Sequence, residues 1–407
     1  MEEAKSRVTK KFILFQLLAF GSFASMNYYN VYLKTIGFTS TQIGIWGSIS
    51  SIIAMVTLPA WGIASDKAGS PKKLYLVSMA SFATLFAIMP LLGGISSVSY
   101  LPLYALIVLY SVVKQPTHSL QDAWFVGTSR AYGINYASIR MWGSFGFAVI
   151  SIMYGLITQY TGIGFSLYLA PVLVFPLVFL CSRFHDDEGV QPAVQPARQS
   201  TRMRPWVLFK NYYLVCTFIM TLVFSCYGAY IIPFFPYILE HAGVAADKMG
   251  LITGYGAFVQ VVVMLVITRY CKKVPMQIIL IVAGCFGVAE TFFYGFSSNL
   301  GMLFVGSTFW GVSMATNVSI LPMYIFSLVP RKYSATAISF NGTIAMLSTI
   351  IGNFVGGYLV ASVGITVYTY CVAALMALCI MLFAASLFVG KHILKKTPEM
   401  MLAQEGE

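Results

Sequence analysis

The sequence predicts an all-α membrane protein with twelve transmembrane helices in two pseudo-symmetric six-helix bundles. Three observations predict it. Twelve continuous apolar runs each reach the roughly 20 residues that a helical span needs. Charged residues make up 9% of the chain and apolar ones 58%, against roughly 25% charge in soluble domains. One long polar stretch, 183–209, divides the runs six and six. A β-barrel is excluded, because barrel strands alternate apolar and polar residues over short segments.

In chain order the runs are 11–33, 42–65, 74–96, 99–125, 136–160 and 162–182, then 210–239, 248–268, 276–297, 299–327, 334–360 and 364–390. The expected organisation is an N-terminal bundle over 1–182, a cytoplasmic linker over 183–209 and a C-terminal bundle over 210–407. The linker is rich in Pro, Gln and charge, the composition of an extended connector. The leading segment MEEAKSRVTKK enters a first run longer than a signal h-region, and no small-residue cleavage site follows, so an uncleaved first helix is expected. Pro233 and Pro236 are expected to kink the seventh span. The seven cysteines (181, 216, 226, 271, 285, 371 and 379) show no metal-ligand spacing and read as small packing residues.

The net charge of +12 invites a nucleic-acid reading, but its distribution rejects it. Of 25 Lys and Arg, Lys34 and Lys248 fall in loops on one side, while Lys114 and Arg140 fall inside spans. The other 21 lie at the termini or in loops 66–73, 126–135, 183–210, 269–275 and 328–333, which share the opposite side of a twelve-span weave. That asymmetry assigns both termini to the cytoplasm of a cell-membrane protein, with the basic side facing anionic lipid.

The halves echo each other. Leu33-x-x-x-Gly37 with Gly44, and Leu239-x-x-x-Gly243 with Gly250, recur at a constant offset of 206. Paired repeats suit alternating access about a midplane site. The loop after the second span reads Gly62-Ile-Ala-Ser-Asp66-Lys67-Ala-Gly69-Ser-Pro-Lys72-Lys73. Its glycines permit a tight turn and close helix approach, and Asp66 can cap a helix or pair with a base. This loop resembles the G-x-x-x-D-[RK]-x-G-x-x-[RK] signature of the major facilitator superfamily. The resemblance implies a conformational latch at Gly62, Asp66 and Gly69. The equivalent second-half loop, from Thr268 to Lys273, keeps its basic charge without the Gly and Asp.

Ionisable residues inside spans are costly and mark pathways. Lys114, His118 and Asp122 fall at i, i+4 and i+8 of the fourth span, which stacks them on one face. Arg140 follows near the start of the fifth, where a short turn can bring it to Asp122 as a charge-assisted, bidentate pair. A structural ion pair, a core histidine at 118 and a snorkelling Lys114 are the plain alternatives. An acid on the fourth span, an Arg eighteen positions later, an aromatic-Gly pair and a further aromatic form a pattern similar to that of the lactose permease family. The phenylpropionate permease and nucleoside–proton symporter branches share its Arg-x-Trp-Gly part. The resemblance implies solute binding by Asp122 and Arg140, and stacking on Trp142 or Phe147, where the sugar permeases have Trp at the latter place.

Glu290 is the acid at mid-depth of the ninth span, a candidate to gain and lose a proton. A lipid-facing or locally hydrogen-bonded Glu is the alternative, and its expected partner is Lys114, Arg140 or His118. The chain departs from the sugar permeases here. Relatives have Arg at position 290. Gln260 replaces a carboxylate, Trp310 and Ser313 replace a His and a Glu, and the basic residue of the eleventh span is missing. Proton coupling must then use Glu290, Asp122 or His118. Asn27 and Tyr28, Tyr227 and Tyr230, Tyr255 and Gln260, Asn317, and Asn341 and Asn353 supply uncharged polar groups for a cavity, or glue between helices.

No phosphate-binding G-x-x-x-x-G-K-[ST] loop, zinc-type cluster or G-x-S-x-G elbow occurs. No enzyme activity, metal or cofactor is expected, and a proton gradient is the expected driving force. The glycine-proline motif of drug–proton antiporters is missing from the fifth span, which points to uptake. The expected function is proton-coupled symport of a small polar solute such as a sugar or nucleoside, by a monomer without nucleic-acid partners. Uptake of a small aromatic carboxylate, drug or metabolite efflux, and a non-transporting sensor are the alternatives.

Overall fold

The computed structural model describes residues 2–93, 101–184, 205–271, 274–330 and 333–393. Every predicted span is helical, and no strand occurs among the described residues. The first half comprises α1 (Glu2–Phe23), α2 (Ser25–Thr35), α3 (Ser40–Ala68), α4 (Pro71–Gly93), α5 (Leu101–Lys114), α6 (Thr117–Ala131), α7 (Tyr136–Thr161), α8 (Ile163–Ser166) and α9 (Leu169–Ser182). The second comprises α10 (Tyr212–Ile231), α11 (Phe235–His241), α12 (Met249–Tyr270), α13 (Met276–Phe296), α14 (Leu300–Leu328) and α15 (Ser334–His392). Most of the predicted linker, 185–204, lies outside the described residues.

Spans one, four, six and seven are each built from two helices. The break between α10 and α11 falls at Pro233, as the kink expectation required. In span one, Ser22 Oγ donates to Ala19 O and Ser25 Oγ to Ser22 O, both at 2.7 Å, around the break at Ala24. Such Gly/Ser stretches are common causes of sharp bends. The α15 stretch holds spans eleven and twelve as two helices that meet at Gly364, whose non-helical φ of 78° and ψ of 167° are open to glycine.

The chain divides into two compact units that do not follow the sequence halves. One holds Met1–Thr39, Ile49–Gln199 and Ala245–Ala257; the other holds Ser40–Ser48, Ser200–Val244 and Phe258–Glu407. The start of span two therefore belongs with the second half, and the start of span eight with the first.

The sequence repeat explains this exchange. Gly37 and Gly243 take φ of 97° and 65° and close α2 and α11 in the same way. Phe38 N donates to Leu33 O and Val244 N to Leu239 O, the 6→1 bond of a Schellman cap. Seven residues on, Gly44 and Gly250 each make a close helix crossing. In the second unit a Cβ on Gly44 would strike Asn353 O and lie 2.8 Å from Gly357 Cα. Ser40 Oγ donates to Gly357 O at 3.2 Å and Ser48 Oγ to Ile350 O at 2.8 Å. In the first unit a Cβ on Gly250 would strike Ser151 O, and one on Gly254 would lie 2.7 Å from Ala148 O. Gly357 and Ser151 are themselves 206 positions apart, so the two crossings are copies of one contact.

Gly250→Ala should destabilise its crossing by about 1–3 kcal/mol, the cost of overpacking. Gly62→Ala, whose Cβ meets nothing within 4 Å, should not. Thermal unfolding in detergent checks this, and equal midpoints for both variants would show the crossing to be loose.

Candidate functional site

Span four does not carry the continuous stripe expected of it. Proline at 116 cannot donate to Val112 O, and the helix stops at Lys114 and restarts at Thr117. The freed carbonyls are satisfied from neighbouring helices. Trp61 Nε1 of α3 donates to Val112 O at 3.0 Å, and Ser78 Oγ of α4 donates to Val113 O at 2.6 Å. Thr117 Oγ1 donates to Lys114 O at 2.6 Å. His118 and Asp122 remain one turn apart on α6, and Lys114 ends α5 above them. All three are half-buried, and Lys114 and Arg140 both lie within electrostatic range of His118.

The expected Asp122–Arg140 ion pair is not formed. Asp122 Oδ1 instead accepts a hydrogen bond from Tyr136 OH at 2.5 Å. The Arg140 guanidinium lies over the Phe20 ring, 3.9 Å from its centroid. Tyr136 and Arg140 are one turn apart on α7, so the tyrosine reaches the acid first. Phe20 reaches Arg140 because α1 and α7 cross closely at glycines. A Cβ on Gly146 would lie 2.6 Å from Leu17 O, and one on Gly143 would lie 2.9 Å from two Phe20 ring carbons and 3.3 Å from Arg140 Nη1. The glycine of Arg-x-Trp-Gly thus makes the slot that holds the ring under the guanidinium. The His118 ring packs on Phe23 at 4.1 Å and on Phe20 at 5.2 Å. Beside them Gln121 donates to Gln16, and both are fully buried.

Helical geometry separates the two aromatic candidates. Phe147 lies about 20° from Arg140 around the helix, and Trp142 about 160° away. Phe147 is half-buried. Trp142 is 38% exposed and pairs with exposed Phe145 at 5.8 Å. The expected stacking role of Trp142 is therefore corrected, because it shares a face with Met141 and Phe145 rather than with Arg140.

Tyr28 is also corrected. It is 0% exposed and stacks on Tyr154 at 5.4 Å. Its hydroxyl accepts from Gly250 N at 2.6 Å and donates to Asp247 O at 3.4 Å, so it fastens the start of α12 instead of facing a solute. Asn27 and Gln260 are half-buried, with no side-chain hydrogen bond among the described residues. Asn317 Nδ2 donates to Ser313 O at 3.0 Å, and Asn341 accepts from Thr221 at 2.8 Å, so both act within the second unit's helices. Asn353 is buried against Gly47 at the crossing. Tyr255 is 37% exposed. The side chains of Tyr227 and Tyr230 lie outside the described residues.

Glu290 is 0% exposed, and neither carboxyl oxygen has a hydrogen-bond partner among the described residues. It is thus neither lipid-facing nor locally hydrogen-bonded. It lies on the buried face of α13 with Gly284 and Gly287, which pack on Phe224, Met376 and Ile380. Of the latch residues, Gly69 makes the turn, with φ of 62° and its N–H on Asp66 O at 3.2 Å. The Asp66 side chain is exposed and makes no cap or ion pair among the described residues, and Gly62 faces open space. Sequence reasoning missed Phe20 and Tyr136. The i, i+4 spacing of Tyr136 to Arg140 was a usable signal for the second; Phe20 had none.

The family described as MFS_1 like family matches residues 9–372. A maltose permease of Geobacillus stearothermophilus is 25% identical over 353 residues, covering 84% of this chain and 86% of its own. A probable 3-phenylpropionic acid transporter of Escherichia coli (strain K12) is 21% identical over 352 residues, covering 82% and 86%. Among solved structures, a mutant of the nucleoside transporter NupG superposes with a TM-score of 0.81 at 17% identity, covering 93% of this chain and 99% of its own. With twelve helical spans and a family match over most of its length, the chain belongs to the MFS_1 like family and is a membrane transporter of the major facilitator superfamily.

Proposed function

We propose that the chain takes up a small polar organic solute, a sugar or a nucleoside, by proton-coupled symport. The observation that carries this reading is the open arrangement of Asp122 and Arg140, a half-buried carboxylate and guanidinium that do not pair. A carboxylate accepts from solute hydroxyls, and a guanidinium offers five N–H donors to ring and hydroxyl oxygens. Phe147, on Arg140's side of α7, supplies an apolar face for a sugar or base ring. The names of the maltose permease and of NupG agree with this solute class. Glu290 is the first candidate to carry the proton, with Asp122 and His118 as the others. Solute and proton together bias the two conformations of the transporter.

A second reading is uptake of a small carboxylate. Lys114 and Arg140 both lie within electrostatic range of His118, and neither cation is paired with an acid among the described residues. The Escherichia coli relative is named for such a solute. Proteoliposomes with an acidic exterior, offered labelled maltose, uridine and 3-phenylpropionate, separate the two. Uptake of the acid alone would remove the sugar and nucleoside reading.

Asp122→Asn and Arg140→Gln should each cut uptake of the active solute by about 10- to 100-fold, the worth of a charge-assisted hydrogen bond. Wild-type rates in both would reduce the pair to a structural role. In Glu290→Gln, uptake should stop responding to the imposed pH gradient while solute counterflow survives. Retained gradient dependence would refute Glu290 as the proton carrier.

A further inference from the structure

We propose that Phe20 and Tyr136 are positioning residues that hold Asp122 and Arg140 apart, so that a solute can enter between them. The proposal rests on Asp122 and Arg140 being the solute-binding groups and adds what keeps them available.

An unrestrained carboxylate and guanidinium one short turn apart would close on each other. A partly buried charge-assisted pair is short and directional, and a closed pair presents few free donors or acceptors to a solute. In this structure each partner is held by an aromatic side chain. Tyr136 donates to Asp122 Oδ1 at 2.5 Å, and Phe20 carries the guanidinium at 3.9 Å. Both contacts are weaker than the ion pair they forestall. A cation on an aromatic face is a modest attraction, and a neutral hydroxyl donor makes a weaker bond to a carboxylate than a guanidinium does.

Geometry keeps the ring in place. Phe20 is seated against Gly143, with no room for a Cβ there, and is flanked by Phe23 and the His118 ring. Lys114 and Arg140 both lie within electrostatic range of His118, and Tyr136 sits one turn before Arg140 on α7. Span one contributes Phe20, Phe23 and the uncharged Gln16 near these groups. A solute hydroxyl or ring oxygen would take the place of Tyr136 on Asp122 and fill the free donors of Arg140. It would thereby bridge the two charges while Phe20 stays beneath.

The test reads the state of Arg140 directly. Purified full-length protein is treated with phenylglyoxal, and adduct formation at Arg140 is followed by peptide mass spectrometry. Arg130, exposed at the end of α6, is the internal reference. In Phe20→Leu and in Tyr136→Phe, Arg140 should pair with Asp122. Its labelling relative to Arg130 should then fall about fivefold, the protection of a modest ion pair. Adding Asp122→Asn to either variant should restore wild-type labelling, which general unfolding would not do. Unchanged or faster labelling in the single variants would overturn the proposal, as would a fall that Asp122→Asn does not reverse. The labelling rate is independent of which solute is carried, so a negative result here is separable from a failure of Asp122 and Arg140 to bind solute.

Discussion

An unpaired backbone carbonyl in hydrocarbon costs several kcal/mol, and the candidate site exists because that cost is met at one place. Pro116 interrupts span four and frees Val112 O and Val113 O. Trp61 and Ser78 reach in from α3 and α4 to satisfy them. The break is therefore a specified feature. It lets α6 restart on its own, with His118 against Phe20 and Phe23 of α1 and Asp122 bonded to Tyr136 of α7. Without donors at those two carbonyls the interruption would be a defect, and the charged residues around it would have no fixed position.

The second organising element is close approach at glycine. Gly143 and Gly146 let α1 lie against α7, which places Phe20 beneath Arg140. Gly44 and Gly250 let the starts of spans two and eight cross into the unit of the opposite half. The same device thus serves a local purpose in the site and a global one in the fold. In each case a methyl group would collide with backbone or ring atoms that have nowhere to move.

The fold was legible because its signals are long and redundant. Twelve apolar runs, the two-sided charge pattern and the single linker each point to the same weave. The repeat at 206 was also legible, though its meaning as a helix crossing needed coordinates. Residue roles at the site were only partly legible. Periodicity correctly put His118 and Asp122 on one face and Arg140 nearby. It does not hold for Lys114, because Pro116 breaks the helix inside the apolar run. The motif does not place Trp142, which lies on the far side of α7 from Arg140. Tyr28 misled for another reason: a tyrosine in a span has the same composition whether its hydroxyl meets a solute or a backbone amide. Phe20 was invisible because only the α1–α7 crossing brings it to the guanidinium.

The bond from Gly250 N to Tyr28 OH spans 222 residues of sequence. One of the first amides of α12 is capped by a side chain made early in synthesis, while α12 itself emerges more than half-way through translation. The residue that meets the amide is therefore made before the amide itself. Tyr28 and the backbone at Gly155, which Asp247 O approaches, form the socket, and the start of span eight supplies what fills it. Two fragments of this chain, cut in the linker and produced together, carry complementary halves of that socket and so have a chemical means of finding each other.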